Sequence, residues 1–390
     1  MYRALPPAGV PITAGDLFAG LAAVRRGEAA LVDFREAISR TFGVRHVFLA
    51  SSGRAALSIL LQAFHTLHPD RDVVALPAYT SFSVPSAVVN AGLNVSLYDV
   101  DPVTLSPVPE SLARTVGNRT LAVVVCHLFG YLADLDSVRQ ITAPHGVPVI
   151  DDAAQAMGAD FRGKPAGTCG DAGLYSLSRG KNINAVDGGI IVTDQDELAR
   201  AVAKCTLVDP AEGTPKLFLK ALLLSALLHP ALYWFPRSLP FLNIGVSVFD
   251  PAFPIAQFTA FQAGIARRML TRLPEITTGR RQVSARFLAS LAGVPGILIP
   301  RPVPGVVPVH LRLPVIRTDS LPLREAPEWG VVRSYPSTLA AIPALSSHTV
   351  PASQRFPGAE FLAERLLTVP THEFVTEQDC AVISRWFAAY

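Results

Sequence analysis

Short, continuous apolar runs recur through the first half of the chain: His46–Ala50, Asp72–Leu76, Val95–Asp99, Leu121–Cys126, Val147–Ile150, Gly173–Ser176 and Gly189–Thr193. Runs that do not alternate with polar residues predict strands covered on both faces. Between them, Gly53–Leu67, Ser81–Asn90 and Leu135–His145 read as helices. This alternation predicts an α/β layered domain around a mostly parallel sheet of seven strands flanked by helices. Ligand sites in such sheets lie at the carboxyl ends of the strands.

After Asp194 the pattern changes. Gln195–Lys204, Ala256–Leu273 and Gln282–Leu291 read as helices, and Lys216–Leu242 is strongly apolar. From Gly293 onward, short strands and proline-rich turns lead to a closing helix near Glu377–Phe387. A chain of 390 residues exceeds one simple core. We expect a large α/β domain over 1–255, with an apolar insertion at 216–242, and a smaller α+β domain over 256–390.

The polar residues at the predicted strand ends carry the candidate chemistry. V-I-D-D-A-A-Q (Val149 to Gln155) closes one apolar strand, and Y-S-L-S-R-G-K-N-I (Tyr175 to Ile183) closes another, followed by Gly188-Gly189. A carboxylate at the end of a buried strand is costly unless a cation pairs with it. A protonated pyridine nitrogen would be such a partner for Asp152, and Lys181 offers an amine for a Schiff base. This combination points to pyridoxal phosphate. Gln155, one helical turn from Asp152, is placed to reach a ring hydroxyl. Ser51-Ser52-Gly53-Arg54 follows a strand and opens a helix, which directs backbone N–H groups at an anion, and Ser176 is a second phosphate candidate. Each residue also has a plainer reading. Asp152, or Asp151 beside it, would cap a helix opened by Asp-Ala-Ala-Gln, Gln155 would be a capping-box partner or surface amide, Arg54 a solvent-facing arginine, and Lys181 an exposed loop lysine.

Half the residues are hydrophobic and 17% are charged, and the net charge of +3 includes no basic block beyond doublets. Nucleic-acid binding is therefore not expected. The cysteines, Cys126, Cys169, Cys205 and Cys380, form no C-x-x-C, which argues against structural zinc or a disulfide framework. The opening M-Y-R-A-L-P-P-A-G-V does not read as a signal peptide, so a cytoplasmic location is expected.

Taken in order, S-S-G-R-A-A-L, P-A-Y-T-S-F, D-V-D-P, H-L-F-G-Y-L-A-D-L-D, V-I-D-D-A-A-Q-A-M-G-A, S-L-S-R-G-K and L-L-T-V-P-T-H resemble the DegT-type (DegT/DnrJ/StrS) sugar aminotransferases of fold-type I, over nearly the whole chain. The resemblance implies Lys181 as the cofactor lysine and Asp152 at the pyridine nitrogen. It also implies Gln155 near the ring hydroxyl, and Ser176 with Gly53 and Arg54 at the phosphate. It further implies a homodimer that moves an amino group from an amino acid, glutamate foremost, to a nucleotide-linked keto-sugar in amino-sugar or surface polysaccharide biosynthesis. The alternatives are a sugar dehydratase or lyase, against which Lys181 argues because dehydratases resembling the family carry histidine there, and a non-catalytic membrane-associated sensor.

The chain departs from the family pattern at several points. Ser81 stands where the family has an aromatic, leaving Tyr79 or Phe82 to cover the cofactor ring. Arg54 replaces a common threonine, Ser178 a usual histidine, and Ile255 lies near the place of an asparagine that reaches the partner subunit's phosphate. Lys216–Leu242 has no good counterpart. Interrupted by Lys220, Ser225, His229, Pro230, Pro236 and Arg237, it is too broken for a simple spanning helix. A hairpin lying peripherally on the cytoplasmic face of a membrane, or one buried against the protein or a dimer partner, is expected instead.

Overall fold

A computed structural model describes residues 3–238, 248–350 and 355–389. The strands are β1 (His46–Ala50), β2 (Val73–Pro77), β3 (Asn94–Tyr98), β4 (Thr120–Cys126), β5 (Val149–Asp152), β6 (Asp160–Phe161), β7 (Lys164–Pro165), β8 (Ala172–Ser176), β9 (Gly189–Thr193), β10 (Ile297–Leu298), β11 (Val306–Val307), β12 (Arg312–Arg317) and β13 (Leu366–Pro370). Seven of them form one sheet in the order β1-β9-β8-β5-β4-β2-β3. All run parallel except β9, which is antiparallel to both of its neighbours.

The seven apolar runs are these seven strands, shifted by no more than two residues. β2, β4, β5, β8 and β9 are buried along their whole length. One apolar cluster covers one face of the sheet and includes Phe34, Ile38, Phe261 and Met269; another covers the other face and includes Leu57, Leu60 and Phe64. The unbroken apolar runs follow from this two-sided cover.

The Gly53–Leu67 helix begins at an N-cap, Ser52, whose hydroxyl oxygen accepts the Ala55 N–H at 3.2 Å. The Ala14–Arg26 helix packs along Ala260–Thr271 so tightly that a Cβ on Gly264 would fall 2.4 Å from the Ala19 carbonyl oxygen. A second sheet, β10-β12-β13, shares a core with the helices Leu273–Leu291 and Glu377–Ala389 through Phe287, Leu313, Val369 and Phe387. A third, β11-β6-β7, is a small antiparallel ribbon.

The apolar insertion forms two helices, Thr214–Leu227 and Pro230–Arg237, with the chain bent by 110° at the break between them. Its last residues, 239–242, lie outside the described residues. Among the described residues no single helix is long and apolar enough to cross a membrane.

Candidate active site

The carboxyl ends of β1, β4, β5 and β8, with the segment after β2, surround a cavity of about 370 Å³. That is within the range of small-molecule sites. Strand register assembles its floor. Cys126 on β4 lies beside Asp152 on β5, Asp152 beside Leu174 on β8, and both Ser176 and Ala50 beside Gly189. Lys181, Asp152, Gln155, Ser176, Gly53 and Arg54 all line this cavity.

Asp152 is buried. One carboxylate oxygen accepts the Ala154 N–H at 3.0 Å, and the other accepts the Cys126 thiol at 3.3 Å. Burial raises its pKa above the ordinary carboxylate range, while these two donors and Lys181 pull the other way. Lys181 shows the opposite shift. Burial lowers its pKa to about 8, against the attraction of Asp152. The loop beyond the lysine is tied down by Asn182, which donates to the Met157 carbonyl at 2.7 Å, and by Asn184, which donates to the Val10 carbonyl at 3.2 Å.

The neighbouring carboxylate does other work. The sequence favoured Asp151 as a helix cap, but β5 runs through it into a turn. Asp151 instead accepts the Gly167 and Cys169 N–H groups at 2.8 and 2.9 Å and contacts His127 Nε2 at 2.7 Å. His127 Nδ1 accepts the Ala133 N–H, so the proton sits on Nε2 and is donated to Asp151. His127 and Cys126 both line the cavity. Neither was singled out from sequence, although a histidine directly after the buried run L-A-V-V-V-C was the available signal.

Gln155 is fixed from both ends. Its Oε1 accepts the Phe129 N–H at 3.0 Å, and its Nε2 donates to the Tyr335 hydroxyl at 2.6 Å. Phe129 adopts φ 57°, which an L-residue rarely takes without tertiary support. Tyr335 comes from a segment far along the chain and was not foreseen.

The anion end is built by close approach. A Cβ on Gly53 would lie 2.9 Å from Ser176 Cβ, and one on Gly189 would lie 2.2 Å from the Ser52 carbonyl oxygen. Only glycine lets the helix N-terminus sit this near β8 and β9. Ser176 and Ser178 hydroxyls are 3.0 Å apart. Ser51 points elsewhere, exchanging two hydrogen bonds with Ala256. Arg54 is held at the rim, its guanidinium 4.4 Å above the Phe253 ring and 3.4 Å from the Asp250 carboxylate.

Tyr79 and Phe82 do not line the cavity. Both are buried, and Tyr79 meets Tyr335 edge-on at 5.3 Å between ring centroids. Thr80, Ser81, Ser83 and Val84 form the wall there. The expectation that one of the two aromatics covers the cofactor ring finds no support in this packing.

The curated relatives are partial matches. The pleiotropic regulatory protein of Geobacillus stearothermophilus is 36% identical over 45% of this chain and 46% of its own length. The L-glutamine:2-deoxy-scyllo-inosose aminotransferase of Streptoalloteichus tenebrarius is 37% identical over 40% of this chain and 37% of its own. GDP-perosamine synthase of Caulobacter vibrioides is 29% identical over 67% and 62%. The chain thus spans about half the length of these relatives. Solved structures match more completely. DesI with its TDP-sugar product has a TM-score of 0.78 at 24% identity, covering 100% of this chain and 93% of that one. Helicobacter pylori PseC has a TM-score of 0.78 at 16% identity, covering 99% of each. At such identities these likenesses carry the fold alone, that of an α/β protein with a mostly parallel sheet. Residues 23–216, just under half of the chain, match the model of the DegT/DnrJ/EryC1/StrS aminotransferase family.

Proposed function

We infer that this protein is a pyridoxal-phosphate-dependent aminotransferase that takes an amino group from an amino acid, with glutamate as the expected donor, and delivers it to a nucleotide-linked keto-sugar. The observation that carries this reading is the convergence of Asp152, Lys181, Gly53 and Ser176 on one cavity at the strand ends. The family match and the names of two relatives, GDP-perosamine synthase and L-glutamine:2-deoxy-scyllo-inosose aminotransferase, support amination of a keto-sugar. Amino-sugar or surface polysaccharide biosynthesis would use the product. The same resemblance supports a homodimer.

The residues fit pyridoxal phosphate. Asp152 is a buried carboxylate held by two donors and still in want of a full counter-charge, and the Gly53–Ser176 approach leaves a cradle that any Cβ would fill. When bound, the group supplies an aldehyde that carries the amino group and a ring that draws electrons from the substrate carbon. The backbone N–H groups of Gly53 and Arg54 and the Ser176 hydroxyl would hold its phosphate. Asp152 would keep a proton on the ring nitrogen. Gln155 Nε2 carries two hydrogens, of which Tyr335 takes one, so the amide can also reach the ring hydroxyl. Lys181 Nζ, with its pKa near 8, can both accept and return a proton close to neutral pH.

The test is spectroscopic. Purified protein with pyridoxal phosphate should develop a visible band, glutamate should bleach it, and a suitable keto-sugar nucleotide should restore it. Retained transamination by Lys181→Ala would overturn the reading.

A further inference from the structure

The apolar insertion is the feature that the chemistry at Lys181 leaves unexplained. One side of it is anchored. Leu217, Ala221, Leu228, Pro230, Tyr233 and Pro236 are buried, and the Ser225 hydroxyl donates to the Ile12 carbonyl. The other side is apolar and open. Leu219, Leu222 and Leu223 on the first helix, and Leu232, Trp234 and Phe235 on the second, are each between 45% and 53% exposed. On Thr214–Leu227 the outward positions 219, 222, 223 and 226 follow helical spacing, so the stripe that faces water is the one a soluble surface helix would bury. The adjoining Ala14–Arg26 helix also exposes Phe18, Leu21 and Val24. Isolated exposed apolar residues are ordinary, but a run of this extent marks an interaction surface.

Charge identifies the partner. Residues 214–237 contain Lys216, Lys220 and Arg237 and no acidic residue. Both lysines share a single carboxylate, Glu212, and Arg237 lies 3.7 Å from Glu328, so positive charge is left over at the edge of the apolar face. Arg179, exposed on the loop that precedes Lys181, adds to it and lies with Arg237 in electrostatic reach of Tyr233. A twofold contact between copies through this face would set these cations against themselves, with no acidic residue of 214–237 to pair them. An anionic lipid surface answers both properties at once: acyl chains accept the leucines, headgroups accept the lysines and arginines, and Trp234 suits the boundary between them.

We propose that the helices Thr214–Leu227 and Pro230–Arg237 form a docking surface for an anionic phospholipid bilayer, laid in the interface rather than across it. Docking there would bring the active-site loop to the membrane edge. The N-terminal segment bridges the two: the Ala4 N–H donates to the Pro230 carbonyl at 3.0 Å, Gly9 packs on Leu228, and Ala8 is the neighbour of Gly180.

The test uses the full chain, with vesicles of phosphatidylcholine alone or mixed with phosphatidylglycerol. Co-sedimentation is expected only with the mixed vesicles, weakened by salt and accompanied by a blue shift of Trp emission that Trp234→Phe removes. The triple variant Leu222→Gln, Leu223→Gln, Phe235→Gln changes only exposed positions. It should weaken vesicle binding by about tenfold or more while its circular dichroism and sedimentation coefficient stay unchanged. A second variant, Lys216→Gln with Lys220→Gln, should reduce the preference for phosphatidylglycerol. Wild-type protein that ignores mixed vesicles, or a triple variant that binds them equally well, overturns the proposal. So does a triple variant that falls to a smaller oligomer, since a second copy would then be what covers the face.

Discussion

Asp152 and Cys126 form an unusual pair, because a thiol is a weak donor set against a buried carboxylate that lacks a full counter-charge. Burial also raises the pKa of Cys126, so it remains a donor across the working range. Cys126→Ala should remove that donor, raise the Asp152 pKa further and weaken retention of pyridoxal phosphate by about 1 kcal/mol, or about fivefold in its dissociation constant. Cys126→Ser should keep most of it. Equilibrium titration with the cofactor reads both. Lys181 gives a second prediction. A lysine with pKa near 8 should react with an amine-selective reagent at a rate that climbs through pH 8 and then levels, well below the rise of an ordinary lysine. Mass mapping of the labelled peptide checks this, and a rise delayed to pH 10 would contradict the described burial. At this scale the sequence was informative about which residue types matter and less so about where their side chains point. Asp151 and Asp152 are adjacent on one strand and so face opposite ways. One meets the cavity, and the other braces His127 and the Gly167–Cys169 turn. Tyr79 and Phe82 turn into the core while Thr80, Ser81 and Ser83 face the cavity, because the backbone after β2 bends in a way that no local pattern encodes.

The elements were legible where burial is simplest. β1 and β9 and the Gly53–Leu67 helix coincide with the expected ranges, because two-sided burial makes each strand a continuous apolar run and a serine N-cap marks the helix start. The order of the strands was not legible, and it is the order that makes the site: β5 next to β8 brings Asp152 near Ser176 and the lysine loop. Gly189 shows how tightly these elements meet. Gly189→Ala would push a methyl against the Ser52 carbonyl, and we expect a loss of about 1–3 kcal/mol in urea unfolding together with weaker cofactor binding, since the displaced segment is the N-cap of the anion-facing helix. Gly117→Ala, whose Cβ would meet nothing within 4 Å and whose backbone is likewise not left-handed, is the control for a glycine-to-alanine change without the clash.

Across the whole molecule, buried basic residues bind the N-terminal segment to the second sheet. Arg280 donates to the Leu311 carbonyl at 2.9 Å and to the Thr371 hydroxyl at 3.0 Å, and His372 Nε2 donates to the Pro6 carbonyl at 2.8 Å. Burial holds the His372 pKa down from 6.5 to about 3 and that of His310 to about 4. Between those values and 6.5 the unfolded chain binds protons that the folded chain refuses, so stability falls as pH falls through this window and is regained as pH rises. Urea unfolding at pH 7 and pH 5 should show the loss, and His372→Gln should flatten part of it. An unchanged slope in that variant would mean that His372 is not held neutral by the fold.

The layered α/β class, the seven strands and the candidates Lys181, Asp152, Gln155, Ser176 and Gly53 could all be read from the amino-acid sequence. Each of these follows from local facts: which runs can be buried, where a helix is capped, and which polar residues stand at strand ends. Tertiary structure alone decided that these residues share one cavity, that Cys126, His127 and Tyr335 support them, and that the apolar insertion buries one side and leaves the other open. The physical reason is the same in each case. These properties depend on which segments become neighbours across long stretches of chain, and a pattern of hydrophobic and polar positions records whether a residue is buried, not what it is buried against.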